Sequence, residues 1–336
     1  MFSTLKENFP EAEFGGSQGD SCFVVLPVWL GSQKIDSEAL AAGLLVTMNI
    51  VYPNDDLTHR QNLNENGYSG LQFDYKRKVD GTLFRYRIRI LHEGEFGYLA
   101  AAWTQRNEEN ADTVLNDALS RVKITVPNTN TPAGRLHFSA QDLKNQGYVL
   151  NQVGLFYFKS DEYKKALPLF HAAVDADSTN TIRVNNLLLT WSRLNRPKDG
   201  LDYLNAQPKE LLDKPEFRAF QAYFQSKCSL TDEAITNYAR VFSGGYRDEE
   251  DFKSYINLLI TTHQYDRGMA EVEQYLKSED SASIRLLIAD IYREKQDYGK
   301  AVSFLKSEHD KVPYNSKTEL SPRHTVLTNF VFSSII

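Results

Sequence analysis

Cysteine is almost missing from this chain: Cys22 and Cys228 are the only two in 336 residues. Two thiols about two hundred positions apart build neither a disulfide framework nor a cysteine zinc cluster. Long apolar runs are missing as well, since no uninterrupted stretch reaches the ~18 residues that a membrane-spanning helix requires. The start, Met1-Phe2-Ser3-Thr4-Leu5-Lys6-Glu7, lacks the basic region and apolar stretch of a secretory leader. A cytoplasmic location is therefore expected. There is no basic excess: 38 Lys and Arg stand against 44 Asp and Glu, a net charge of −6. A dedicated nucleic-acid binder carries a basic surplus on its binding domain, so no nucleic-acid partner is expected.

Catalytic signatures are missing too. The seven histidines, His59, His92, His137, His171, His263, His309 and His324, fall in no HxH, HExxH or CxxC spacing. No nucleophile elbow, Walker loop or dinucleotide fingerprint occurs. Gly15-Gly16-Ser17-Gln18-Gly19 lacks the lysine of a phosphate cradle, and Asp55-Asp56 and Glu93/Glu95 flank turns as solvated carboxylates do. Cys22 sits in an apolar run that reads as the site of a buried, inert thiol. No catalytic residue, metal or cofactor is expected.

What is present is a globular composition, 41% hydrophobic and 24% charged, over a length that suggests two domains. Residues 1–20 read as a flexible lead-in and 21–125 as a small α+β sandwich domain. Strands are expected over 22–30, interrupted at Pro27, over 44–52, and over 98–103. The clearest element is a hairpin turning at Asp80-Gly81. It sets Tyr75 opposite Tyr86, Phe73 opposite Ile88 and Leu71 opposite Ile90 on one face, with Asp74 opposite Arg87 and Gln72 opposite Arg89 on the other. A helix over 111–122 follows, with Leu115, Ala118, Leu119 and Val122 on one stripe. On the hairpin's polar face Arg85, Arg87 and Arg89 form a stripe in which Arg85 meets Lys76. Like charges so opposed are mildly destabilising, so this face is either solvated or occupied by an anion or partner. The strands 84–91 and 97–103 resemble those of PsbP-type domains, which implies a non-catalytic accessory fold.

Residues 126–137, rich in Pro, Gly and polar side chains, read as a linker, with Ser139 as the N-cap of the helix that follows. Beyond it the chain repeats. Ala166, Gly200, Ala234, Gly268 and Ala301 are spaced 34, 34, 34 and 33 residues apart, and each is followed four positions later by Phe170, Leu204, Tyr238, Val272 or Leu305. Twelve residues before each stand Gly154, Leu188, Ala222, Ile256 and Ala289, and Tyr163, Tyr265 and Tyr298 precede the small residue by three. Small residues let two antiparallel helices approach, and stacked hairpins share a core that none could bury alone.

The pattern Leu150-x2-Val153-Gly154-x2-Tyr157, then Ala166-x3-Phe170-x2-Ala173, resembles the tetratricopeptide repeat (TPR). Five copies cover about 147–314, in an array expected over 138–314, with Pro313 where the family often places a proline. Arg218 and Gln221 stand at normally apolar positions, and Gly200 and Gly268 replace alanine. The fold class is thus an α+β domain followed by an all-α TPR solenoid. A tail over 315–336 is expected to cap it with a helix opening at Ser321-Pro322.

The resemblance implies a concave groove that binds protein or peptide. Copies numbered from Gly147, Thr181, Pro215, Glu249 and Ala282 place Asn151, Leu155 and Lys159, then Asn185, Leu189 and Arg193, then Tyr223 and Lys227 on it. These supply amides for an extended backbone, apolar contacts, and a basic row suited to an acidic or acid-flanked segment, or simply cations complementing helix ends. The carboxylate clamp of chaperone-binding members is not matched: Asn186 fits, Lys253 and Asn257 fall in the wrong repeat, and Glu216 and Phe220 replace a basic pair. The expected function is a non-enzymatic scaffold; the alternative is an accessory or regulatory subunit whose first domain binds a ligand or partner. Oligomeric state is not specified by the sequence.

Overall fold

A computed structural model describes residues 14–18, 21–30, 34–50, 52, 56–65, 68–93, 96–106, 108–120 and 140–311. The expected linker at 126–137, Ser139, Pro313 and the tail at 315–336 lie outside the described residues. The chain separates into two compact units, Met1–Leu194 and Asn195–Ile336. The boundary therefore falls among the helical repeats, and the first repeat helices belong with the sheet.

Among the described residues the first unit holds six strands: β1 (Phe14–Gln18), β2 (Ser21–Trp29), β3 (Leu57–Glu65), β4 (Tyr68–Val79), β5 (Thr82–Glu93) and β6 (Phe96–Thr104). They form one antiparallel sheet in the order β1-β2-β6-β5-β4-β3. The expected lead-in thus carries β1 at Phe14–Gln18. Asp80 and Gly81 both take positive φ, 48° and 81°, the backbone a two-residue hairpin turn needs. The β4–β5 register pairs Tyr75 with Tyr86, Phe73 with Ile88 and Asp74 with Arg87. Pro27 lies past the last β1 pair, Phe14 with Val25, so its missing N–H deprives no β1 partner. The edge strand β3 escapes sequence reading because His59, Arg60, Gln61, Asn62 and Asn64 are all exposed, which removes the apolar alternation that marks a half-buried strand.

The described part of the expected strand at 44–52 is not a strand. Helix α1 (Ser37–Leu45) runs into a 3-10 turn at Val46–Met48, and Asp36 caps it by accepting from the Ala39 amide at 2.8 Å. Its apolar residues are buried on every side (Ala39, Leu40, Ala41, Leu44 and Leu45), and a helix enclosed all round loses the one-sided periodicity that distinguishes it from a buried strand. One side of α1 meets the sheet. The other meets α3 (Ala140–Lys159). At Gly43 an added Cβ would come within 2.5 Å of the Val153 side chain, so glycine is required for this approach. The Tyr157 hydroxyl donates to Asp36 Oδ2 at 2.6 Å, and the rings of Tyr52 and Phe156 lie 6.4 Å apart. The opposite sheet face is covered by α2 (Glu108–Ser120), whose Ala111, Leu115 and Leu119 join Val25, Ala100 and Ala102. The unit ends with α4 (Tyr163–Ala176) and α5 (Thr181–Arg193).

The second unit comprises α6 (Pro197–Asn205), the single turn α7 (Lys209–Leu212), α8 (Pro215–Lys227), α9 (Thr231–Ser243), α10 (Glu249–Thr261), α11 (Tyr265–Ser278), α12 (Ala282–Glu294) and α13 (Tyr298–Lys311). Across both units the same turn recurs. Asp161, Asn195, Ser229, His263 and Gln296 all take positive φ, at spacings of 34, 34, 34 and 33. The amides of Glu162, Leu230, Gln264 and Asp297 return to the carbonyls of Tyr157, Gln225, Leu259 and Tyr292, the six-to-one closure of a helix ended by a left-handed residue. The helical half is thus built of TPR-type hairpins. Its second-unit core is rich in rings, with Tyr238, Phe242, Phe252, Tyr255 and Tyr275 buried together. Where Arg218 and Gln221 replace apolar residues, a polar seam takes over: Gln221 donates to Asn205 at 3.0 Å, and Asn237 donates to Gln225 at 2.8 Å.

The two glycines that replace alanine differ in kind. An added Cβ at Gly200 would lie 2.5 Å from two atoms of the fully buried Phe224 ring, whereas at Gly268 the nearest atom, on Ile291, is 3.5 Å away. Gly200→Ala is expected to destabilise by about 1–3 kcal/mol through overpacking. Gly268→Ala should instead stabilise by about 0.5–1 kcal/mol, because it restricts the unfolded chain at no steric cost. Denaturant unfolding of both variants checks the opposite signs.

Candidate functional site

The expected groove residues of the first unit lie on α3 and α5. Their separation is fixed by a polar pair: Asn186 donates to Asn151 Oδ1 at 2.9 Å. Asn151 is buried, at 5% exposure, so its amide spaces the helices and does not face outward as expected. Asn185, Leu155 and Leu189 are half-buried, and Lys159 and Arg193 are exposed at the last turns of their helices. Sequence reasoning missed Tyr148, near the middle of α3, and Ile182, in the first turn of α5; they occupy matching repeat positions and are 41% and 67% exposed. Their apolar character 34 residues apart was the available signal. Each helix therefore presents an exposed apolar residue about three turns before its end, a half-buried leucine one turn before its end and a cation in its last turn.

In the second unit Tyr223 is half-buried on α8, and the Lys227 ammonium stands 5.5 Å from its ring centroid. This cation–π contact engages both side chains with each other.

The arginine stripe resolves into three different roles. Arg87 is buried and bidentate to Asp74, at 2.7 and 2.8 Å, with further bonds to Asp112 and Asn116. The hydrogen bond and charge of Asp74 hold its guanidinium even more firmly protonated than usual. Arg89 donates to Gln72 at 2.9 Å. Arg85 donates from Nη1 to the Arg106 carbonyl at 2.7 Å, while its Nε is buried without a hydrogen-bond partner. Two of the three arginines thus serve the sheet itself.

Ser37 Oγ lies 3.0 Å from His92 Nε2, and burial pushes the imidazole toward its neutral form. The neighbouring Asp36 carboxylate is committed to Tyr157 and to the Ala39 amide. The pair fastens the start of α1 to β5. Cys22 is half-buried, and burial raises its thiol pKa, which disfavours the nucleophilic thiolate. Among the described residues no group of three or more His, Cys, Asp or Glu is placed to hold a metal ion, and no helix is long and apolar enough to cross a membrane.

No protein-family model matches the chain, and no curated protein matches it. Among solved structures it is similar to YrrB, a TPR protein with an unusual peptide-binding site, at 12% identity over 56% of this chain and 91% of that one, with a TM-score of 0.40. It is similar to a tetratricopeptide repeat protein from Parabacteroides merdae at 15% identity over 60% of this chain and 86% of that one, with a TM-score of 0.41. A third likeness is the first TPR of Spaghetti bound to an HSP90 peptide, at 20% identity over 38% of this chain and 98% of that one, with a TM-score of 0.33. These are likenesses of architecture; the hairpins described above rest on this chain's own geometry.

One half-buried carboxylate was not singled out from sequence. Asp251 lies in the first turn of α10, accepts from the Tyr246 hydroxyl at 2.9 Å, and is pushed up to about 6 by burial. Its ionisation costs more in the folded chain than in the unfolded one, so stability falls as pH rises from about 4 to about 6 and the penalty is complete above that. Asp251→Asn keeps an acceptor for Tyr246. It should raise stability at pH 7.5 by about 1–2 kcal/mol after allowing for the lost helix-dipole contact, with the gain vanishing near pH 4. Paired urea titrations at the two pH values measure it.

Proposed function

We propose that the protein is an interaction scaffold whose α3–α5 surface binds an extended segment of a protein partner, one that carries acidic residues along one edge and apolar residues along the other. The observation that supports this reading is the matched pair of rows: Tyr148 and Ile182 exposed about three turns before the helix ends, Lys159 and Arg193 exposed in the last turns. An extended chain points successive side chains to opposite edges, so apolar and acidic residues in alternation meet the two rows. Leu155 and Leu189 add apolar surface between them, and Asn185 supplies an amide for main-chain groups. Exposed ion pairs contribute only ~0–1 kcal/mol each, so the basic row steers encounter and selects sign, and the apolar residues supply most of the affinity.

A panel of fluorescein-labelled extended peptides, acid–apolar, neutral and base–apolar in alternation, tests the reading by anisotropy on the full chain. The acid–apolar member should bind most tightly and weaken with salt. Lys159→Glu with Arg193→Glu should remove that preference and most of the salt dependence, and Ile182→Ser should lower affinity at every salt concentration. Equal binding of all three peptides, or a double reversal without effect, defeats the proposal.

A further inference from the structure

We propose that the second unit holds a site for a cationic side chain, a lysine or arginine of a protein partner, where α8, α9 and the start of α10 meet around Asp251. Tyr246, in the turn before α10, donates its hydroxyl to Asp251 Oδ2 at 2.9 Å. Asp248 and, from α8, Glu216 act on the same hydroxyl, so three carboxylates gather around it. None of the three has an ion pair among the described residues. The cations of the same elements are engaged elsewhere. Arg218 of α8 pairs with Asp213, and Lys253 of α10 pairs with Glu250. Arg247 donates to the carbonyls of Phe242 and Tyr246, Lys227 lies over the Tyr223 ring, and Arg240 of α9 is exposed in the last turn.

A cluster of acids is by itself only surface charge; the hydroxyl beside this one marks it as a site. Tyr238 on α9 is 0% exposed, yet its hydroxyl has no hydrogen-bond partner. It lies within electrostatic reach of Asp251, Tyr223 and Tyr246, and the neighbouring Ser254 gives its own proton to the Glu250 carbonyl at 2.9 Å. A buried polar group left unpaired costs stability. An ammonium brings three donors and a guanidinium five, for which the Tyr238 oxygen and the Asp251 and Glu216 carboxylates are acceptors. Tyr223 and Tyr246 are half-buried and pack on the core that contains Tyr238, so the stem of a long basic side chain has apolar surface to lie on. Burial, with the charges of Asp248 and Glu250, pushes Asp251 up to about 6. The carboxylate has given up water without gaining a cation, and a partner's cation supplies what is missing. This site is independent of the α3–α5 surface: it belongs to the other unit and selects the opposite charge.

Fluorescein-labelled glycine–serine peptides with one central lysine or N-acetyl-lysine test the proposal by anisotropy on the full chain. Acetylation removes the charge, so the lysine peptide should bind roughly fivefold or more tightly at pH 7.5. Only the ionised carboxylate pairs with a cation. Affinity for the lysine peptide should therefore rise about tenfold between pH 5 and pH 7, as Asp251 passes from about one-tenth to about nine-tenths ionised. Asp251→Asn, which keeps an acceptor for Tyr246 and is expected to fold more stably, should erase both the lysine preference and its pH dependence. Tyr238→Phe, which removes the unpartnered hydroxyl and keeps the ring, should weaken lysine binding by roughly threefold or more. Lys159→Glu with Arg193→Glu should leave the lysine preference intact, which separates failure of this site from failure of the α3–α5 reading. Equal binding of the two peptides at millimolar protein, or a full preference retained by Asp251→Asn or Tyr238→Phe, overturns the proposal. Spermidine bound through Asp251 without binding of the lysine peptide overturns it in favour of a free polyamine.

Discussion

The same constraint acts at two places in the helical half: a glycine on one helix is pressed against a phenylalanine ring on a neighbouring helix. Helices of 13 or 14 residues, such as α5 and α11, are marginal in isolation and draw their stability from the faces they share. At Gly154 an added Cβ would lie 2.7 Å from the Phe170 ring, and at Gly200 it would lie 2.5 Å from Phe224. At these points the glycine backbone packs directly on the ring, and dense interiors tolerate little deviation from that distance. The left-handed residue after each first helix then sets the angle at which the second returns. A period of 34 is therefore a packing distance written in residues.

The sheet is tied into this scheme by α1. Asp36 does two jobs, capping α1 through the Ala39 amide and accepting the Tyr157 hydroxyl from α3. Burial and the neighbouring carboxylate keep that phenol protonated well above its ordinary range, so the donor is constant across the pH range of the folded chain. Repeat arrays require their terminal hairpins to be covered. Here the sheet's own helix, buried on all sides, does the covering for α3, and both belong to the unit Met1–Leu194.

Patterns in sequence reveal faces, and that decides what was legible. The β4–β5 hairpin could be placed to the residue because Leu71, Phe73, Ile88 and Ile90 are buried while alternate positions are polar. The repeat was readable because Ala166, Ala234 and Ala301 are completely buried. Helix α1 was unreadable for the reverse reason: enclosed on every side, it shows no face. The edge strand β3, exposed along most of its length, shows none either. At the candidate site the same rule holds. Lys159 and Arg193 could be placed at helix ends by counting, but no count shows that Asn151 turns inward to Asn186.

Charge is the hardest property to read from sequence, because residue type does not say whether a cation is structural or available. Arg183 is 6% exposed on α5, with its Nη1 donating to the Ala173 carbonyl at 3.2 Å, and Gly147 must be glycine because a Cβ there would collide with that guanidinium. Burial lowers its pKa, yet an arginine stays charged through shifts of this kind, so the surrounding carbonyls are held in place by a permanent cation. Arg87 is likewise sealed by carboxylates. Burying a charge is costly unless it is paired and hydrogen-bonded, and these two arginines meet that requirement within the fold. Arg85 does not meet it at Nε, and Arg77, Lys159 and Arg193 remain at the surface. Sequence presents all of these as the same two residue types, and only the partners that folding supplies tell them apart.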